Sequence, residues 1–280
     1  KRQLVGIALG LAPASAFANS CPVAKKKITE KDMEIARVAW KYFENNTQLT
    51  TGLVNAVNNY PSTTMWDTGS SLAAIVTAEE LGLITQERFD QMVGDLFTTL
   101  EFLELFNGEL PNKVYDTRTA KMVNYANKSS EYGIGVSALD LGRLASWLNL
   151  VSCLHPHHKA QAERILATWN YCSMIRGGQM YGLAWNDKKT KPILLQEGRL
   201  GYEQYAAKIF HMLGFDQSIS RRYQNKFSRY EEINGIQILV DKRDASTLGA
   251  HNYVVSESYS MDAKENGFDD ENTPLIDNIY

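Results

Sequence analysis

The stretch Thr63-Thr64-Met65-Trp66-Asp67-Thr68-Gly69-Ser70-Ser71-Leu72-Ala73-Ala74 reads as the start of a helix. Thr64 with Asp67 three residues on is a capping box, and an acid in the first turn suits the helix dipole. Leu72, Ile75 and Val76 then share one face, and Gly82 closes the run. The same grammar recurs on both sides. Thr29 and Asp32 open a helix carrying Ala36, Ala39, Trp40 and Phe43, and Thr85 opens one carrying Phe89, Met92, Val93, Leu96, Leu100 and Leu103. Leu141, Leu144, Ala145 and Leu148 mark a fourth helix, and Ile165, Leu166 and Trp169 a fifth. Tyr202, Tyr205, Ala206, Ile209 and Leu213 mark a sixth, closed by Gly214. Less regular segments near 217–229 and 259–266 bring the expected number to about eight.

Between the helices lie long polar or Gly-rich stretches, Thr47 to Thr63, Asn107 to Glu131 and Gly177 to Gly198. Structureless loops of this length inside a domain are functional or disordered. Their recurrence after alternate helices predicts a helical toroid with its working loops gathered at one end. Minor β elements are expected at 236–240, after Asn234-Gly235, and at 252–256. No repeat, linker or composition shift divides the chain, so residues 30–280 read as a single helical domain.

Composition narrows the function. The 280 residues are 44% hydrophobic and 22% charged, enough apolar matter for a core. A net charge of −3 lacks the positive excess of a nucleic-acid binder. Lys1 and Arg2, the apolar run Leu4–Ala12 and the small residues Ala14 to Ala18 have the form of a secretory signal peptide over 1–18. Cleavage is expected after Ala18, with a linker over 19–29 and a periplasmic or secreted destination. Lipid attachment at Cys21 is the second choice. No later stretch has the roughly 20 apolar residues of a transmembrane segment. If Cys153 ends one helix and the next runs from about His158 to Cys172, Cys172 lies about 21 Å up its own helix at 1.5 Å per residue, so the two are expected as separate, buried thiols.

No phosphate loop, GxSxG, HExxH or CxxC occurs, and no cofactor is implied. What remains is a set of carboxylates beside aromatics at helix starts. Asp67 adjoins Trp66. Glu203, in Gly201-Tyr202-Glu203-Gln204-Tyr205, lies toward the core side of its helix, where a lone carboxylate must be paired, neutral or facing a cavity. A structural salt bridge to Arg199 is its plain alternative. Glu257, in Val255-Ser256-Glu257-Ser258-Tyr259, is delivered to a helix start. Glu131 and Asp140 are further acids, each explicable as a cap. His155-Pro156-His157-His158 could ligate a metal, but reads better as a solvated turn between helices, with metal ligands expected nowhere. The run Arg221 to Tyr230 followed by Glu231-Glu232 reads as a solvated helix face.

Three of these segments, Thr63–Ala74, Gly201–Tyr205 and Val255–Tyr259, occur in an order that resembles an exported bacterial family of unknown function. That family is related to the glucoamylase-like, six-hairpin domains of cyclic β-1,2-glucan synthases and to β-1,2-glucanases. The resemblance covers about residues 30–275 and implies an all-α (α/α)6 toroid. With eight of twelve helices legible, the ring is expected to be incomplete at its C-terminus. It also implies glycoside hydrolysis or transglycosylation of a β-glucan or other exopolysaccharide. By motif position Glu203 and Glu257 match the family's acids, and Asp67 matches more loosely.

A glycosidase needs one protonated carboxyl and one ionised carboxylate. Glu203, nearer apolar neighbours, is expected as the acid, Glu257 as its counterpart, and Asp67 as the reserve. Trp66, Tyr132, Trp185, Tyr202 and Tyr259 are the expected sugar-stacking surfaces. The alternative is a helical protein that binds a glycan or cell-wall partner without cleaving it.

Overall fold

Side-chain caps start the helices where the sequence places them. In this computed structural model, which describes residues 28–186, 188–243, 256–267 and 270–279, α1 (Glu30–Asn46) and α2 (Met65–Glu80) begin at the capping boxes of Thr29 with Asp32 and Thr64 with Asp67. The Thr85 hydroxyl accepts from the Arg88 amide at the head of α3 (Gln86–Glu101), and Ser137 accepts from Asp140 at the head of α4 (Ala138–Leu154). Then come α5 (Lys159–Thr168), α6 (Tyr202–Met212), α7 (Ser256–Asn266) and α8 (Asn272–Ile279). These make eight α-helices among the described residues. No helix there is long and apolar enough to cross a membrane. The segment expected as signal peptide and linker, through residue 27, lies outside the described residues.

The polar stretches are built rather than structureless. Among the described residues, five two-stranded antiparallel pairs occupy them and the C-terminal third of the chain. β1 (Ser62–Thr64) pairs with β4 (Val114–Asp116), and β2 (Leu105–Phe106) with β3 (Leu110–Pro111). β5 (Ile175–Arg176) pairs with β6 (Gln179–Met180), and β7 (Gly182–Trp185) with β8 (Pro192–Leu195). β9 (Ser228–Ile233) and β10 (Ile236–Asp241) form the longest hairpin, in register from Ser228↔Asp241 to Ile233↔Ile236.

That hairpin corrects two expectations. Residues 217–227 run in turns rather than a helix, and Arg229 to Glu232 lie on a strand rather than on a helix face. Asn234 and Gly235 both take positive φ, 53° and 81°, which closes a tight hairpin and commits the preceding residues to pairing with β10. The expected β element at 236–240 is present. That at 252–256 falls outside the described residues up to 255, and Ser256 already belongs to α7.

Helix α5 also stops earlier than expected, at Thr168. Cys153 and Cys172 are not bridged to each other, yet neither is a buried thiol. Cys172 is exposed and free, and Cys153 is disulfide-bonded.

Helices α2, α4, α6 and α7 run in one direction, with their starts level. Ser70 of α2 meets Arg143 of α4, Glu197 just before α6 meets the first amide of α4, and Tyr202 and Lys208 of α6 meet Glu257 and Asp262 of α7. Two glycines permit the approach. A Cβ on Gly69 would stand 2.9 Å from the Leu144 Cα, and one on Gly142 only 2.4 Å from the Ala206 Cβ. One apolar core runs from Trp40 of α1 through α2–α5 to Phe210 of α6. A second, of Leu200, Tyr223, Leu239, Tyr259 and Leu275, seats α7, α8 and β10.

Candidate active site

Each of the four parallel helices carries an acid in its first turn: Asp67, Asp140, Glu203 and Glu257. Helix N-termini favour negative charge, but the surroundings of the four differ sharply.

Asp140 sits partly buried against two other acids. Burial pushes its carboxyl up to about 7, the neighbouring charges of Glu197 and Asp67 add to this, and Ser137 and Lys113 only partly offset it. Glu197 is pushed up as well, by burial first, against the pull of Lys113 and the Ala138 amide. That amide donates to Glu197 Oε2, while Lys113 Nζ stays 3.9 Å from Oε1. Asp67 is half-buried, and its Oδ2 takes the Thr64 hydroxyl at 2.7 Å as part of the capping box.

Glu257 is exposed and accepts from the Tyr202 phenol at 2.7 Å. Burial, then the hydrogen bond to Glu257 and its charge, push that phenol up to about 12. The Tyr202 ring meets Trp66 edge-on at 5.2 Å. Trp66 in turn lies 5.4 Å from the Arg143 guanidinium. Arg143 and Tyr205 each reach Glu265 at 2.6 Å, and Trp147 Nε1 reaches it at 3.1 Å. Arg143 of α4 and Tyr202 of α6 thus pack on the Trp66 indole, and Glu265 of α7 holds Arg143 in place.

Glu203 stands apart. It is 2% exposed, takes the Ser220 hydroxyl at 2.7 Å, and pairs with Arg243 at 2.7 Å. Arg243 also binds Asp241 through Nε and Nη2, each at 2.8 Å. The salt bridge foreseen with Arg199 is therefore made with Arg243 instead. A carboxylate matched by a buried guanidinium does not have the apolar surroundings expected of a proton donor. Tyr259 is likewise a core residue, 1% exposed and stacked on Tyr223 at 4.9 Å, with no face for a sugar.

Trp185 and Tyr132 sit together on the loops, joined by Trp185 Nε1 donating to the Tyr132 carbonyl at 2.9 Å. Trp185 packs on Phe106 at 4.8 Å, and Tyr132 is exposed. Glu131 is exposed beside it. The histidines take separate duties: His158 is buried and bonds Asp90 at 2.6 Å, His155 packs on Phe89 at 4.2 Å, and His157 is exposed.

The fold therefore gathers Trp66, Asp67, Tyr202 and Glu257 at one end, and adds Asp140 and Glu197. Glu197 was not singled out from the sequence. Its only signal is its place just before Gly198, on the segment that leads into α6. Chemically, the end offers a carboxyl that holds its proton near neutral pH, an ionisable partner held by a phenol, and aromatic edges.

Solved structures give the fold a context. An endo-β-1,2-glucanase from Chitinophaga pinensis, in complex with sophorotriose and glucose, aligns with TM-score 0.53 and 15% identity, over 77% of this chain and 55% of that one. A Bacteroides fragilis protein provisionally named a glucoamylase aligns with TM-score 0.51 and 16% identity, over 78% and 56%. A Bacteroides uniformis protein provisionally named the same aligns with TM-score 0.53 and 12% identity, over 80% and 57%. The chain thus spans little more than half the length of these neighbours, and it shares their glucoamylase-like fold. No curated protein matches the sequence. A family model matches residues 34–280, nearly the whole described chain, and by that match the protein belongs to the family described as "Protein of unknown function (DUF3131)".

Proposed function

We propose that this protein is an exported glycoside hydrolase-like enzyme, built as a partial (α/α)6 toroid, that acts on a β-glucan or related exopolysaccharide. The observation that carries the reading is the Asp140 carboxyl, held protonated to about pH 7 by burial and by Glu197 and Asp67, at the same end as Glu257, Tyr202 and Trp66. Asp140 replaces Glu203 as the donor to the glycosidic oxygen. Glu257 is the ionised carboxylate directed at the anomeric carbon, with Asp67 as the nearest substitute. Trp66, Tyr202, Trp185 and Tyr132 offer ring surface to the sugar.

Support for a glucan substrate comes from the Chitinophaga neighbour, named an endo-β-1,2-glucanase. The signal-like first 18 residues and the disulfide at Cys153 support export to an oxidising compartment. On this reading residues 1–18 are the signal peptide, 19–29 the linker and 30–280 one domain.

The test is product release from linear β-glucans and exopolysaccharides, followed by mass. Asp140→Asn is expected to lower kcat by about 10²–10⁴-fold, the range for losing a general acid. Full cleavage by that variant would overturn the assignment. A second reading, glycan binding without cleavage, is favoured by the engagement of Asp67 in a cap and of Glu203 in an ion pair. It predicts binding of those glycans by the wild-type protein with no product at any time.

A further inference from the structure

The same end carries large side chains in solvent that the carboxylates leave unused. Tyr60 is 38% exposed, Tyr125 70% and Val57 61%. Both tyrosines sit among side-chain amides, in Asn58-Asn59-Tyr60 and in Asn124-Tyr125-Ala126-Asn127.

These turns are built. Asn46 Nδ2 donates to Asn58 Oδ1 at 3.1 Å, and the Asn59 amide donates back to Asn46 Oδ1 at 3.2 Å. In the second turn Asn124 Oδ1 takes the amides of Ala126 and Lys128 at 3.0 and 3.1 Å. Asn127, at φ 52°, donates to Asp116 Oδ2 at 3.2 Å. The Tyr60 hydroxyl reaches the Tyr125 carbonyl at 3.4 Å and ties the two turns together.

Rings presented beside amides match the chemistry of a sugar, whose C–H face lies on an aromatic while its hydroxyls seek amide partners. Position adds to this. Tyr60 leads through β1 into Thr64 and α2, so at about 3.3 Å per extended residue it stands about 13 Å up the chain from the Asp67 turn, a few sugar rings away.

We propose that Tyr60 and Tyr125 form a distal platform that grips the same glycan outside the cleft, so that the ligand is a polysaccharide chain of several units rather than a disaccharide. The inference rests on the reading of the cleft as a glycan site.

The probe is a ladder of linear β-1,2-glucan oligosaccharides from disaccharide to heptasaccharide, with β-1,3 and β-1,4 ladders beside it. Binding is titrated on Asp140→Asn protein with and without Tyr60→Ala and Tyr125→Ala, and cleavage is followed on otherwise unaltered protein with and without the tyrosine pair. The longest members of one ladder are expected to bind roughly tenfold tighter than the disaccharide, and the tyrosine pair to abolish that difference. An unchanged melting temperature in the tyrosine variant identifies the loss as one of contact.

Affinity independent of length, a length effect that survives both substitutions, or no binding on any ladder would each overturn the platform. Tyrosine-sensitive, length-dependent binding without cleavage by the unaltered protein would sink the hydrolase reading and leave the platform standing. Cleavage with length dependence intact in the tyrosine variant would do the reverse.

Discussion

Glu197 and Glu203 flank the turn Gly198–Gly201, the first partly and the second fully buried, yet they belong to different chemistries. Glu203 shares Arg243 with Asp241, so two negative charges close on one guanidinium, with Ser220 filling a further bond. Glu197 has Lys113 only at 3.9 Å, leans on Ser137 and the amides at the head of α4, and adds its charge to that of Asp67 beside Asp140. Burial acts on both regions. What separates them is the neighbourhood: Glu203, closed on a buried guanidinium, becomes framework, whereas Asp140, buried beside Glu197 and Asp67, stores a proton.

The largest effect is expected where the framework pair is broken. Arg243→Met leaves Glu203 and Asp241 buried without their cation and should cost about 3–5 kcal/mol in urea unfolding. A loss under about 1 kcal/mol would erase the distinction between the two regions.

The next prediction concerns the proton. The Asp140 carboxyl, at about 7 in the folded chain, lies above its unfolded value of about 3.9. The folded protein therefore binds the extra proton between those values. The stability this group contributes is full below the lower value and is lost as pH rises through about 7. Glycan cleavage should fall over the same rise. Glu197→Gln removes a neighbouring negative charge and should move the alkaline limb of kcat/KM toward acid by about one unit. An unmoved limb would assign that limb to another group.

The smallest effect belongs to the cap. Thr64→Ala removes both hydroxyl bonds of the box and should cost about 1 kcal/mol, read as a lowered melting temperature.

Much of the helical frame was legible because its signals are local. Thr29, Thr64 and Thr85 act within three residues of themselves, and they start α1, α2 and α3. At 217–229 the helical periodicity is weak, and the Asn234-Gly235 turn overrides it by pulling the chain into β9. The site divides in the same way. Trp66, Tyr202 and Glu257 were found from motifs and do meet. Glu203 read as a poised acid because its helix shows its apolar neighbours but not Arg243, forty residues on. The role of Glu197 rests on an amide fifty-nine residues away, which no local pattern announces.

Gly69 and Gly142 give the arrangement an unexpected point of control. The lateral spacing of three helix starts depends on two missing methyl groups, since either Cβ would overlap the next helix. A single carbon at position 142 would lever α6 outward and carry Tyr202 with it, away from Asp140. The aperture in which these acids confront one another is thus set by the smallest side chains in the wall, and widening it takes no change to any acid.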